Sequence, residues 1–275
     1  MRKGFCKIAS FSLAAVMAAS IFSVSAFAKG TKKIDLTGDG RADTVSFVKT
    51  RDKKDPETFT SLKVKVNGKT VFNKKTNYYD VRSWLIKISK KNGFLALYTP
   101  WDNHEADYNG IYQYRKGKLN CVVNLNKCLP GYDSYTQNIK TSGKTVAATI
   151  QEDVYGLGVC TYNIKYTWKN NKFNRAGSLS DYKIAALNNK FVRKGSSVKL
   201  AASIKAQKSL SARSRTMAFN KGAKLKLGKI SFKGSSAYIG LVQNGKTYWL
   251  SLKDAKKAAK VNTQMTIFTN TFMAG

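Results

Sequence analysis

Apolar and polar residues alternate along most of this chain, and turn signals interrupt the alternation at short intervals. A period of two sends successive side chains to opposite faces of an extended strand, so the pattern demands sheets that bury one face. Residues 44–48, 61–66 and 70–72 read as strands, followed by 84–88, 94–98, 110–114, 119–125, 145–150 and 160–168. Asn67-Gly68 sits between two of these runs and specifies a two-residue hairpin turn, in which both residues need positive φ. With three prolines and no long stretch of helical period, the chain is expected to be antiparallel β throughout.

The first residues point to export. Arg2, Lys3 and Lys7 precede an apolar run over 8–22, and Ala26-Phe27-Ala28 has the small-x-small form of a signal-peptide cleavage site. Cleavage after Ala28 predicts a secreted chain, extracellular or associated with the cell wall, without transmembrane insertion. Cys6 precedes the apolar run, which argues against a lipid anchor.

Loss of the three basic residues of that leader lowers the formal charge from +34 only to +31. A field of this size favours polyanionic partners such as anionic wall polymers, lipid surfaces, polysaccharide or extracellular nucleic acid, the last through charge alone. The alternative is a lysine-rich solvated surface, since the lysines lie singly along alternating segments and form no dense tract. Cys121, Cys128 and Cys160 allow one disulfide and one odd thiol, and spacing leaves the pairing open. A zinc site would want more Cys or His ligands than the single histidine, His104, allows, and a cysteine nucleophile would need that histidine beside one of three unremarkable cysteines.

Residues 35–43 read Asp-Leu-Thr-Gly-Asp-Gly-Arg-Ala-Asp. Oxygen ligands at positions one, three, five and nine, with glycine at six, have the spacing of a calcium loop. Asp35, Thr37, Asp39 and Asp43 would supply side chains and Arg41 its carbonyl, with Gly40 allowing the reversal. Three carboxylates predict weak binding, on the order of 10⁻⁴ to 10⁻³ M, as in extracellular modules. The competing reading is an ordinary Asp/Gly turn ahead of a strand.

This loop, running into the strand at 44–48, resembles the repeat unit of FG-GAP and VCBS β-propellers, whose aspartate-rich loop binds calcium. Thr37 departs from the Asn or Asp usual there. The stretch Trp101-Asp102-Asn103-His104-Glu105-Ala106-Asp107 has similar residue types but lacks the glycine, so the resemblance implies one or two blades, not a closed propeller. Farther on, Lys221-Gly222-Ala223-Lys224-Leu225-Lys226-Leu227 and Asn244-Gly245-Lys246-Thr247-Tyr248-Trp249-Leu250 resemble segments of bacterial Src-homology-3-type barrels, with Tyr248 where glycine is usual. The whole is similar to secreted proteins of gut Clostridia. In such barrels an aromatic groove can hold peptidoglycan peptide or glycan, and Tyr238, Tyr248 and Trp249 would serve that role here. Because strand neighbours face opposite ways, Tyr248 and Trp249 cannot both be core.

The expected architecture is thus all-β. A leader over 1–28 precedes an antiparallel domain over 29–180, as a partial propeller or sandwich; a linker over 181–190 leads to a small barrel with a short tail over 191–275. A basic helical turn or two is expected over 253–260. The N-terminal domain also gathers aromatic residues (Tyr78, Tyr79, Trp84, Tyr98, Trp101, Tyr108, Tyr112 and Tyr114) near Asp80 and the acids Asp102, Glu105 and Asp107. Such a surface suits sugar binding or a two-carboxylate hydrolase, the alternative to a noncatalytic envelope-binding or calcium-dependent adhesion protein.

Overall fold

The computed structural model describes residues 21–23, 34–101, 106–126, 128–211, 214–260 and 265–271. The expected cleavage site, Asp102, His104 and Glu105 lie outside the described residues. The class is all-β, with four antiparallel sheets and one short helix among the described residues.

Two four-stranded meanders come first. Strands β1 (Ile21–Ser23), β2 (Val45–Arg51), β3 (Phe59–Val66) and β4 (Lys69–Tyr78) form one; β5 (Arg82–Ser89), β6 (Asn92–Tyr98), β7 (Asn109–Arg115) and β8 (Lys118–Asn124) form the other. The turn between β3 and β4 has the predicted positive φ at Asn67 (50°) and Gly68 (77°). In β6, Leu95 and Leu97 pack into a core with Phe47, Leu62 and Val64 of the first sheet. Phe94 and Ala96, pointing the other way, join Val146, Ile150 and Ile164 in a second core. A strand covered on both faces explains why residues 94–97 are an unbroken apolar run.

Strands β9 (Gly131–Ser142), β10 (Thr145–Val154) and β11 (Gly158–Lys169) continue the chain, and β12 (Lys172–Arg175) folds back on β11. β13 (Ser178–Leu179) crosses to the last sheet, while β14 (Tyr182–Ala186) and β15 (Lys190–Arg193) complete this one in the order β15-β14-β11-β10-β9. The segment expected as a linker, 181–190, therefore holds β14 and the turn into β15. Its Ile184 is fully buried opposite Cys160. The second core does not stop there either, and runs on through Leu225, Ile239, Leu250 and Phe268.

The last sheet contains β16 (Ser197–Lys199), β17 (Ile204–Gln207), β18 (Thr216–Phe219), β19 (Lys224–Lys233), β20 (Ser236–Gln243) and β21 (Lys246–Ser251). Its order is β13-β19-β20-β21-β17-β18, with β16 paired to β19. The strands do not close on themselves, so the expected barrel is an open sheet: β13 and β16 add to β19, and nothing hydrogen-bonds β18 back to that edge among the described residues. Asn244 (φ 49°) and Gly245 (φ 74°) make the second tight hairpin.

Helix α1 (Leu252–Ala259) follows directly, capped by Ser251 Oγ accepting from Asp254 N at 3.1 Å, and it buries Leu252, Ala255 and Ala259. No helix among the described residues is long and apolar enough to cross a membrane. The expected tail is not peripheral. Ile267 and Phe268 are fully buried, and backbone bonds from Ile267 N to Gly156 O (2.8 Å) and from Thr269 N to Lys199 O (3.0 Å) tie it to both halves of the chain.

Candidate functional site

The aspartate-rich loop folds around its own backbone. Asp35, buried at the start, accepts from Gly38 N (2.5 Å) and Asp39 N (3.1 Å) at Oδ1 and from Gly40 N (2.6 Å) at Oδ2. Asp43 accepts from Leu36 N (2.5 Å) and Thr37 N (2.8 Å) at Oδ2, and from Asn67 Nδ2 (2.6 Å) at Oδ1. Gly38 and Gly40 have φ of 82° and 83°, the left-handed values that turn these amides inward. Asn67 also accepts from Thr44 N at 2.9 Å, so the hairpin turn and the loop brace each other.

Set against the calcium reading, this geometry fits in part. Thr37 Oγ1 lies 3.4 Å from Asp35 Oδ1 and 3.2 Å from Asp43 Oδ1, so two carboxylates converge on one hydroxyl. Asp39 is exposed and accepts instead from Arg41 N at 2.8 Å. No group of three metal-ligating side chains forms among the described residues. The loop as folded offers a cation two carboxylates and a hydroxyl, where the spacing suggested three carboxylates.

The aromatic residues of the last sheet separate by face. Register pairs Leu241 with Tyr248 and Gly240 with Trp249, so the two rings lie on opposite sides. Tyr248 faces the core and meets the Phe219 ring edge-on at 5.1 Å. Trp249, half-buried on the outer face, lines a cleft of about 650 Å³ together with Lys194, Lys226, Lys229, Val242 and Thr247. Tyr238 shares the outer face but sits farther along, paired with Ser251, and does not line the cleft.

Backbone irregularity builds this cleft. The register between β19 and β20 shifts between Leu227 and Ile230, inserting an extra residue at Gly228 and Lys229. Strict alternation from Lys226 would turn Lys229 toward the core; the bulge leaves it exposed beside the cleft. Gly228 lines the cleft and packs closely on Gly240. A Cβ on Gly228 would stand 3.0 Å from Gly240 O, and one on Gly240 would stand 3.1 Å from Lys229 O. The turn after β15 is pinned to the same edge, Gly195 N donating to Leu227 O at 2.8 Å and Leu227 N to Ser196 O at 2.9 Å, which brings Lys194 alongside.

Three lysines, an indole face and no acidic side chain among the described lining residues define an electropositive aromatic site. At physiological salt the screening length is about 8 Å, so lysines lining one cleft act on a ligand together. Its sequence signal is the alternation Lys224-Leu225-Lys226, which sets lysines on the face opposite the core; Lys194 and Lys229 are placed by tertiary structure alone. A second cleft of about 460 Å³, lined by Ile34, Leu85, Lys87, Ile139 and Thr141 among others, has no aromatic side chain among its described lining residues.

The N-terminal aromatic residues are mostly structural. Tyr78 and Tyr98 are fully buried, Tyr112 is buried, and the exposed Tyr79 stacks on Trp101 at 4.9 Å. Of the three acids considered for hydrolysis, Asp107 is exposed and accepts from Thr76 Oγ1. Cys121, Cys128 and Cys160 are free thiols, the last two buried. Burial pushes the Cys128 thiol up to about 12, so it stays protonated.

One titratable group escaped the sequence reading. Glu152 is fully buried opposite Cys160, accepting from Leu129 N at 3.2 Å and from the Tyr162 hydroxyl. Desolvation pushes its carboxyl up to about 7, against these hydrogen bonds and one from Ser134, which pull it down. Sealed from solvent, it acts on stability and cannot touch a ligand.

No protein-family model matches the chain, and no curated protein or solved structure matches it.

Proposed function

We propose that this chain is a secreted, noncatalytic protein that holds an anionic polymer of the cell envelope, wall polymer or peptidoglycan, in the cleft at Trp249. The observation that carries the reading is the composition of that cleft. Lys194, Lys226 and Lys229 surround a half-buried indole beside Gly228, with no carboxylate among the described lining residues. Cation and apolar surface side by side suit a ligand that alternates charged and carbon-rich groups. The formal charge, +34 for the full chain and +31 without the leader, adds long-range attraction, which draws polyanions toward such a site.

Calcium is the second part of the reading. Asp35, Thr37 and Asp43, with the Arg41 carbonyl, would hold the ion, and Asp39 would join by turning from Arg41 N. Convergence of Asp35 and Asp43 on Thr37 Oγ1 supports this. The role is ordering of the first sheet, remote from the ligand cleft in sequence and separate in chemistry.

Retention of the protein on purified cell walls, with and without their teichoic acid, tests the function across salt from about 50 mM to about 500 mM. The reading expects retention that falls with salt and is lost when Trp249 is replaced by Ala. Retention unchanged by Trp249→Ala and by salt would remove it. Release of soluble glycan fragments would point to hydrolysis instead.

A further inference from the structure

The cationic surface does not end at the cleft. Lys224 lies two residues before Lys226 on the same outward face of β19, and Lys199 of β16 stands directly opposite Lys224 in the register. On the other side the chain runs from Lys194 to Arg193, which stands opposite Lys183 across β15 and β14. All four of these flanking side chains are exposed. Like charges placed directly opposite each other destabilise a sheet, and here two such pairs flank one electropositive cleft. A small anion would engage Lys194, Lys226 and Lys229 and leave both flanking pairs idle.

Resting on the proposed cleft, we infer that the ligand is a linear polyol–phosphate chain, long enough to cross the cleft and neutralise Lys199 and Lys224 on one side and Lys183 and Arg193 on the other. Successive same-face residues of a strand are roughly 6.8 Å apart, a spacing comparable to the reach of a short polyol bridge between phosphates. Lysine point charges suit phosphodiester oxygens met one at a time; five of the seven cations are ammonium groups of the cleft and its near flank on the last sheet or the turn beside it. The indole supplies a single apolar face for the carbon bridge. Single-stranded nucleic acid is bound on successive stacking platforms, and this cleft has one aromatic residue among its described lining residues.

Calorimetric titration with glycerol-phosphate chains of defined length tests this, using glycerol phosphate itself, a chain of about four units and one of about twelve, with an oligothymidylate of the same charge as the longest. Affinity is expected to rise by at least about 100-fold from the four-unit to the twelve-unit chain. Lys199→Gln with Lys224→Gln should reduce binding of the long chain by about 10-fold, leave binding of glycerol phosphate itself unchanged and leave the melting temperature equal or higher. Equal affinity for the two lengths, still dependent on Trp249, would overturn the extended ligand and keep the cleft. Tighter binding of the oligothymidylate would overturn the polyol chemistry. Failure of every chain to bind a folded wild-type protein that still shows Trp249-dependent retention on cell walls would overturn the inference and keep the reading it rests on; loss of that retention as well would overturn both.

Discussion

The loop at 35–43 and the cleft at Trp249 are both concentrations of polar groups, and they differ in where their hydrogen bonds and charges go. In the loop, five backbone amides and Asn67 satisfy Asp35 and Asp43, so the acids are spent on holding the chain. In the cleft, three lysines gather beside Gly228 with no acid among the described lining residues. A polar group satisfied internally stabilises the fold, whereas converging like charges raise the free energy of the empty site and favour a ligand of opposite sign. The acids of the motif that stands out in the sequence are thus engaged in holding the chain, whereas the cleft proposed here to bind a ligand lies where the sequence is plain.

That contrast can be broken in several ways, and the largest effect belongs to the cleft. Lys194→Gln, Lys226→Gln and Lys229→Gln together should weaken binding to teichoic-acid-containing walls by about 100-fold or more at low salt, measured by retention, since each removed contact with an anionic polymer costs attraction and counterion release. The melting temperature should not fall, because all three side chains are exposed and unfavourably close in charge. Asp43→Ala should do the reverse. It removes an acceptor of three hydrogen bonds at 2.5–2.8 Å and should cost about 2–4 kcal/mol in denaturant unfolding, with wall retention unchanged at temperatures where the variant stays folded.

A pH titration of stability sharpens the contrast between burial and exposure. Glu152 has its ordinary value of 4.5 raised to about 7 by burial, so the folded protein binds the extra proton between these values. Its contribution is fully present below about pH 4.5, and stability falls as pH rises through about 7, by about 3 kcal/mol at most. Glu152→Gln should flatten that part of the profile in chemical denaturation from pH 4 to pH 8; an unchanged slope would assign it to other groups. Calcium gives the smallest effect. With a dissociation constant on the order of 10⁻³ M, about 10 mM calcium would add roughly 1.4 kcal/mol, seen as a melting shift of a few degrees that Asp39→Ala reduces. A melting curve identical in calcium and chelator removes calcium from the account and leaves the cleft untouched.

Much of the fold was legible because a period of two is a local signal. Alternation gave the all-β class, Asn67-Gly68 and Asn244-Gly245 gave their hairpins, and the opposition of Tyr248 and Trp249 followed from strand geometry alone. What failed depended on distant pairing. Residues 181–190 look like a linker because Ser178, Ser180 and Asp181 are turn residues, yet β14 pairs with β11 and buries Ile184. The open sheet differs from the expected barrel because β13 and β16 both add to β19. In the site, Trp249 and the face of Lys226 could be read from alternation, but a bulge at Gly228 and Lys229 is what presents Lys229, and only tertiary hydrogen bonds bring Lys194 to the same edge.

The most direct test compares Trp249→Ala with Tyr248→Ala on purified teichoic-acid-containing walls, with unfolding of each followed in denaturant. The account predicts that Trp249→Ala abolishes salt-sensitive retention with little loss of stability, while Tyr248→Ala, which loses its packing on Phe219, is destabilised by about 2–4 kcal/mol yet still retained when folded. Full retention of Trp249→Ala, alongside loss of retention in folded Tyr248→Ala, would contradict it.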